Sequence, residues 1–395
     1  MISPAVDLNP KPGPRVAWLG HAVGDRADGL STYSQEVVTG LLRHRAEVFF
    51  HHAARDGTTV PVDPAHALAW PTVRCKTVTL AAPGFRRRMS RWLEANRPDV
   101  THCSLSFTLA DGWVGAETER LGGARVVTFH LPFGEAGTAR ATVMRELHRF
   151  WARRLRHYQR VIVFTEEHRR RLAEVGVELE RIAVLPNAVD TDLFSPGAVL
   201  RRPPQLDGAE LVVGFLGRLD PEKGVRELLA GFQLAGLGPK ARLLLAGRGA
   251  LEPQVRQAAE RDSRVVYLGQ LAQVQERVDF WRALDVFCLP SSAEGLSLAL
   301  LEAMASGCAV LVTPEGGLLA SRTAGLELDP SHLTRSLAEQ LRRLAADPEL
   351  VRERGRLARS EAVRHHGIEP MLSRLLTIYS DCIGEQRQSR GNRPR

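Results

Sequence analysis

Two carboxylates and two cations stand out in the second half of the chain. The stretch SSAEGLSLALLEAMASG, residues 291 to 307, sets Glu294 and Glu302 eight positions apart beside Gly295, Leu296 and an apolar run. Glu302 is flanked by LALL and AMA, so its carboxylate pays a desolvation cost unless something polar meets it. Glu294 reads as a loop residue that need not share a helix face with Glu302. The pair could hold two parts of one extended ligand, with Gly295 letting backbone amides approach it. The competing reading makes Glu294 a helix-capping carboxylate and Glu302 a solvated helix position. Upstream, GFLGRLDPEKGV, residues 214 to 225, runs a strand into Gly217, Arg218 and Lys223 just before a helix begins. An arginine fork, a lysine point charge and helix-start amides together suit a pyrophosphate. The alternative is that Arg218 and Lys223 pair with Asp220 and Glu222 on the surface.

A third loop, LLLAGRGALEPQV at 243 to 255, offers Gly247 and Gly249 after a strand, but Glu252 stands where a third dinucleotide-binding glycine would be. A tight turn for close packing is the better reading, and a dehydrogenase has no other support. The five cysteines, at 75, 103, 288, 308 and 382, are scattered and form no Cys-x-x-Cys pair, so they read as small buried hydrophobes. No carboxylate cluster stands where a metal would bridge a diphosphate, so no divalent metal is expected.

Short β-rich runs alternate with helical patterns throughout, the grammar of parallel sheets covered by helices. Strands are expected at RVAWLG (15 to 20), AEVFFHH, VTHCS (100 to 104), ARVVTFH (124 to 130), RVIVFT (160 to 165) and IAVLP (182 to 186). NAVDTDLFSPGAVLRRPPQLDGAE then loses periodicity, as a linker from about residue 187 would, which places a boundary near 205. The alternation restarts with ELVVGFLG, ARLLLAGRG, RVVYLGQ, DVFCLP and CAVLVTP. Two doubly wound domains follow, at 15–204 and 205–368, after a flexible leader at 1–14. Residues 369 to 384 read as an amphipathic helix, followed by a frayed polar tail, QRQSRGNRPR.

In combination these residues resemble glycosyltransferase family 4, the retaining, nucleotide-sugar-dependent enzymes of GT-B architecture. The resemblance runs from about residue 15 to 384 and rests on GRLDPEKGV, on DVFCLPSSAEGLSLALLEAMASG, and on LPNAVDTDLFSP at 185 to 196. It implies two Rossmann-like domains facing across a cleft, with the C-terminal helix packing back toward the first. It further implies that Arg218 and Lys223 hold the donor diphosphate and that Glu302 takes the ribose hydroxyls. Glu294, with the amides of Gly295 and Leu296, would orient the transferred sugar. His130, at the end of ARVVTFH, resembles the family histidine near the reacting centre; a lone histidine is otherwise structural. ADGLSTYS at 27 to 34 resembles the glycine-rich loop before the first helix, although Asp28-Gly29 replaces the usual paired glycine. Gly29 would let backbone reach phosphate or acceptor. GGLLASRTAG after Gly316-Gly317 departs from the family pattern, where a glutamate often follows.

The activity implied is transfer of a hexose-type sugar from a UDP- or GDP-sugar to an acceptor hydroxyl. The acceptor is left open among glycans, lipid-linked sugars and small metabolites. A sugar-nucleotide epimerase or phosphorylase, or a noncatalytic nucleotide-sugar-binding protein, are the rivals. With a formal net charge of +8 the chain favours anionic partners. Residues 134 to 171 alone carry ten arginines against four glutamates. That patch reads first as a solvated helix face and second as a contact for a bilayer surface or an anionic acceptor, with Arg86, Arg87, Arg88 and Arg91 adding to a contact with anionic lipid. No nucleic-acid motif accompanies it. No apolar run is long enough to span a bilayer and no secretory signal opens the chain, so the expected address is the cytoplasm, with peripheral association at the inner membrane face.

Overall fold

The structure is a computed structural model. It describes residues 13–21, 29–53, 60–70, 72–75, 78–81, 83–105, 109–130, 146, 149–150, 152–292, 294, 297–314 and 324–391. The leader up to residue 12, Gly295, Leu296, Gly316-Gly317 and much of the basic stretch before residue 152 lie outside the described residues.

The chain packs as two compact units, one holding Leu30–Val184 and the chain from Leu372 onward, the other Leu185–Met371. The break falls ahead of the Pro- and Gly-rich stretch where composition suggested it. Residues 187–204 are bonded into the second unit instead. Val189 N donates to His366 O at 2.8 Å, and Leu200 N to Asp279 Oδ1 at 2.9 Å. Arg359 donates to the carbonyls of Thr191 and Phe194 at 2.8 and 2.9 Å.

The first unit is built on a seven-stranded parallel sheet. Its order is Ala67–Trp70, Glu47–Ala53, Arg15–Gly20, Val100–Leu105, Ala124–Phe129, Arg160–Val163, Ile182–Val184. The sequence-based strand expectations all appear in it. Its inner members are buried along most of their length although they carry polar residues such as His102 and Thr128; Ala124–Phe129 is buried at every position. Beneath the sheet, Met89, Leu93, Val114, Leu155 and Tyr158 fill a core with Val127, Phe129 and Val161. Strand Ala67–Trp70 and the antiparallel hairpin Thr72–Cys75 with Val78–Ala81 were not expected from sequence.

The second unit carries a six-stranded parallel sheet in the order Val265–Tyr267, Ala241–Ala246, Leu211–Leu216, Val286–Leu289, Ala309–Val312, Leu326–Glu327. Winding begins at Leu211–Leu216, proceeds outward to Val265–Tyr267, then returns to the other side at Val286–Leu289. The reversal therefore lies between Leu211–Leu216 and Val286–Leu289, and loops leaving the carboxyl ends of two such strands are where open parallel sheets place ligands. In the first unit the reversal lies between Arg15–Gly20 and Val100–Leu105.

The last helix, Ile368–Gly391, corrects the expectation of a frayed tail, since it continues through QRQSRG. Side chains hold that extension on the first unit. Tyr379 OH lies 2.6 Å from His102 Nδ1 in the core, Gln159 Nε2 donates to Cys382 O at 2.9 Å, Arg160 pairs with Glu385, and Arg390 donates to Leu121 O. Cys103, Cys288, Cys308 and Cys382 are buried and in no disulfide. Among the described residues, no helix is long and apolar enough to cross a membrane.

Candidate functional site

Two loops of the second unit converge where its strand order reverses. The first leaves Leu211–Leu216 as Gly217 to Gly224; the second leaves Val286–Leu289 as Pro290 to Ser297. Their approach is close. Gly224 sits at φ +68°, and a Cβ there would meet Pro290 O at 2.1 Å, so only glycine permits both the turn and the contact. Ser292 N donates to Glu222 O at 2.9 Å, tying the loops together. The third loop serves as a brace: Gly247, at φ +127°, abuts Gly217 O, where a Cβ would come within 1.8 Å. Leu219 N donates to Arg248 O at 2.8 Å and Ala250 N to Asp220 Oδ1 at 3.0 Å. Gly247 and Gly249 thus form a packing turn.

This convergence joins two residues to which sequence reasoning gave different parts of a ligand. Lys223 Nζ lies 2.6 Å from Glu294 Oε1, with side chains 13% and 15% exposed. Ser291 Oγ donates to the same Oε1 at 3.1 Å, and Thr313 Oγ1 fixes the Ser291 carbonyl at 2.6 Å. The helix Val225–Ala235 starts directly after Gly224 and has no side-chain cap, so its first amides add donors and partial positive charge beside Lys223. Arg218, by contrast, is 54% exposed and pairs with Asp220 and, at 2.7 Å, with Glu222. The surface pairing considered from sequence holds for Arg218 and not for Lys223. Gly217 N donates to Ala246 O at 3.2 Å.

Glu302 lies in the helix Leu298–Ala305, capped at its start by Ser297 Oγ, which accepts from Leu300 N at 3.3 Å. Serine, not Glu294, is therefore the capping residue. The Glu302 side chain is only 3% exposed, and it finds the polar partners its apolar neighbours demand. Trp281 Nε1 donates to Oε2 at 2.7 Å, and an Arg277 nitrogen lies 3.0 Å from Oε1. Burial pushes the Glu302 carboxyl up, while Arg277 and the indole pull it back. Arg277 and Trp281 were missed from sequence. They sit four apart on the helix Val274–Arg282 and so share a face, which is the only signal the chain offers for them.

In the first unit, His130 directly follows strand Ala124–Phe129, as expected. Its Nε2 lies 2.8 Å from Ser104 Oγ, and the ring meets Tyr33 and Phe164 with centroids 4.9 and 5.1 Å away. Burial, with His21 adding, pushes its pKa down to about 3, so at neutral pH it is an uncharged hydrogen-bonding group. Behind it a buried chain runs from Tyr33 OH to Thr128 Oγ1 at 3.3 Å, on to His102 Nε2 at 2.8 Å, and from His102 Nδ1 to Tyr379. Gly29 is the exposed first residue of helix Gly29–Arg43, with open space where a Cβ would stand. Among the described residues, no group of three or more His, Cys, Asp or Glu is arranged to hold a metal.

The class of protein defined by two Rossmann-like units and this loop pair matches known families along most of the chain. Residues 27–193 match the model described as Glycosyltransferase Family 4, and residues 210–347 match Glycosyl transferases group 1. The chain belongs to the family 4 glycosyltransferases of GT-B fold. It is similar to D-inositol 3-phosphate glycosyltransferase of Segniliparus rotundus, at 34% identity over 47% of this chain and 44% of that protein. With the protein of the same name from Mycobacterium bovis the figures are 32%, 59% and 51%. The chain thus spans about half the length of these curated relatives. Its fold is shared with sucrose-phosphate synthase from Thermosynechococcus elongatus, with TM-score 0.76, 21% identity and coverage of 94% of this chain and 100% of that one. It is also shared with HepE of Anabaena in complex with UDP-glucose, with TM-score 0.70, 16% identity and coverage of 93% and 100%.

Proposed function

We propose that this chain transfers a hexose-type sugar from a UDP- or GDP-sugar to an acceptor hydroxyl, with retention at the anomeric carbon. The observation that carries this reading is Lys223 beside Glu294, on the two loops flanking the strand-order reversal, next to an uncapped helix start. Lys223 and Arg218 take the diphosphate. As the bond from the anomeric carbon to the phosphate oxygen breaks, its electron pair leaves with the diphosphate, and the two cations stabilise the developing charge. The sugar becomes oxocarbenium-like. The acceptor oxygen attacks from the face the phosphate leaves, and a phosphate oxygen takes the acceptor proton. Glu294 orients the sugar through its hydroxyls, together with the Gly295 and Leu296 amides, and Glu302 takes the ribose. His130, uncharged, can exchange hydrogen bonds with the sugar but supplies no charge. The chemistry is metal-independent on this reading.

For the acceptor, the naming of the curated relatives favours a phosphorylated polyol such as inositol phosphate. A bilayer-borne acceptor is the second reading, with the protein cytoplasmic and peripheral, and one observation favours it. Arg86, Arg87, Arg88 and Arg91 are all exposed on the helix Phe85–Asn96, and among the described residues no carboxylate pairs with them. The arginines between 149 and 171 are more fully neutralised: Arg149, Arg160, Arg169, Arg170 and Arg171 pair with glutamates. The experiment is a transfer assay pairing UDP-glucose and GDP-mannose with inositol phosphate and with anionic-lipid vesicles bearing a glycolipid acceptor. Transfer supports the reading. Phosphate-dependent glycoside cleavage or isomerised donor without acceptor would replace it with a phosphorylase or an epimerase.

A further inference from the structure

Lys223 and Glu294 serve adjoining parts of the donor, the diphosphate and the sugar, in the function proposed above, yet here they neutralise each other at 2.6 Å. A diphosphate that takes Lys223 therefore takes it from Glu294. What remains to that carboxylate is the buried Ser291 hydroxyl at 3.1 Å, with the Ser291 carbonyl anchored by Thr313. At 15% exposure water replaces little of the lost cation. A carboxylate stripped of its partner in such a place is costly, more so beside an incoming anion.

Intact donor and free nucleoside diphosphate differ at this point. The intact donor brings sugar hydroxyls that donate to Glu294 and restore what Lys223 gave up. The free diphosphate brings none, and its terminal phosphate carries more negative charge. We infer that Glu294 makes this site discriminate between the intact nucleotide sugar and the free nucleoside diphosphate, binding the first and opposing the second. The inference rests on the donor-site reading. It gives product release a physical drive: once the sugar has gone to the acceptor, the Lys223–Glu294 pair re-forms at the expense of the diphosphate contact. Ser291 is a positioning residue that holds the carboxylate while the lysine is engaged elsewhere.

The test is calorimetric titration of the purified full chain with UDP, GDP, UDP-glucose and GDP-mannose, in wild type, Glu294→Gln and Ser291→Ala. The amide of Glu294→Gln can still accept from Ser291 but no longer competes for Lys223 or repels phosphate. Free diphosphate should then bind about fivefold tighter while the matching nucleotide sugar does not gain, so that the preference falls by about fivefold or more. Ser291→Ala keeps the charge and removes its hydroxyl partner, so free diphosphate should bind more weakly than to wild type. Opposite signs from two neighbouring substitutions would not arise from general damage to the loop. Unchanged or weaker diphosphate binding by Glu294→Gln overturns the inference while leaving the donor site standing. Failure of wild type to bind any of the four ligands overturns the donor-site reading and the inference with it.

Discussion

The indole Nε1 of Trp281 donates to Glu302 Oε2 at 2.7 Å, while Arg277 meets the other carboxylate oxygen at 3.0 Å. Each oxygen keeps lone-pair capacity beyond these contacts. Because burial raises the Glu302 carboxyl, the folded chain binds a proton there more readily than the unfolded chain. The sign follows by linkage: stability from this group falls as pH rises from the ordinary carboxylate range toward the raised folded value. An ionised Glu302 is thus a burden that function would have to justify. Glu302→Gln should hold or raise the thermal midpoint at pH 7.5 while weakening nucleotide binding. A variant that lost stability and bound nucleotide normally would mark Glu302 as structural.

Removing the other partner should act in the opposite sense. Arg277→Met leaves a buried carboxylate without its cation and should cost about 3 kcal/mol at neutral pH. The loss should shrink on acidification, as Glu302 takes up a proton. Urea titrations at pH 7.5 and 5.5 measure the difference, and a loss independent of pH would place the role of Arg277 in packing, for instance against Phe194, 5.5 Å from its guanidinium.

The two cations proposed to hold the diphosphate should separate by stability. Arg218 is exposed and paired within its own loop, so Arg218→Ala should change folding stability by less than about 0.5 kcal/mol. Lys223→Ala uncovers Glu294 and should cost measurably more. Both should lower kcat by about a hundredfold, the scale of losing one preorganised charge or donor at a transition state. Steady-state transfer kinetics beside thermal unfolding check both halves, and undiminished transfer by the pair would refute the assignment.

How much of this was legible in the chain depends on how local the cause is. Strand runs such as VVGFL and DVFCLP declare themselves because a strand buried on both faces must be continuously apolar. The four-residue strands beside Pro71 carry too short a pattern to separate from loop. Glu302 announced a need for a partner through its apolar neighbours, but its partners lie on another helix, 21 positions earlier for Trp281, where only the folded sheet brings them close. Likewise Lys223 had nearby acids in its own loop, and packing of Gly224 on Pro290 selected Glu294, 71 positions away.

Acid should weaken the first unit for a reason separate from the site. His51 and His102 are fully buried, and burial pushes both pKa values down to about 3, with His52 and His130 respectively as secondary causes. The unfolded chain, with ordinary histidines near 6.5, binds more protons between those values. Stability is therefore lost as pH falls from about 6.5 toward 3. Between pH 7 and 5.5 the two together should remove about 2 kcal/mol. Replacing His102 with Asn should flatten that slope in urea titrations, whatever it does to stability at pH 7.

The C-terminal helix offers a direct contest between the frayed tail read from composition and the ordered helix of the structure. Beyond Gly384 the chain supplies Glu385 to Arg160, Gln386 to Arg125 at 3.4 Å, and Arg390 to the Leu121 carbonyl at the end of helix Leu109–Leu121. Each contact is partly exposed and modest, but three on one face should sum to about 1 to 2 kcal/mol. Truncation after Gly384 should lower the unfolding midpoint accordingly and be reproduced in part by Arg390→Ala, since the helix carbonyl it caps returns to water. High salt should shrink the Glu385 share and spare most of the Arg390 share, whose acceptor is a carbonyl. A truncated chain as stable as the full one would restore the frayed tail.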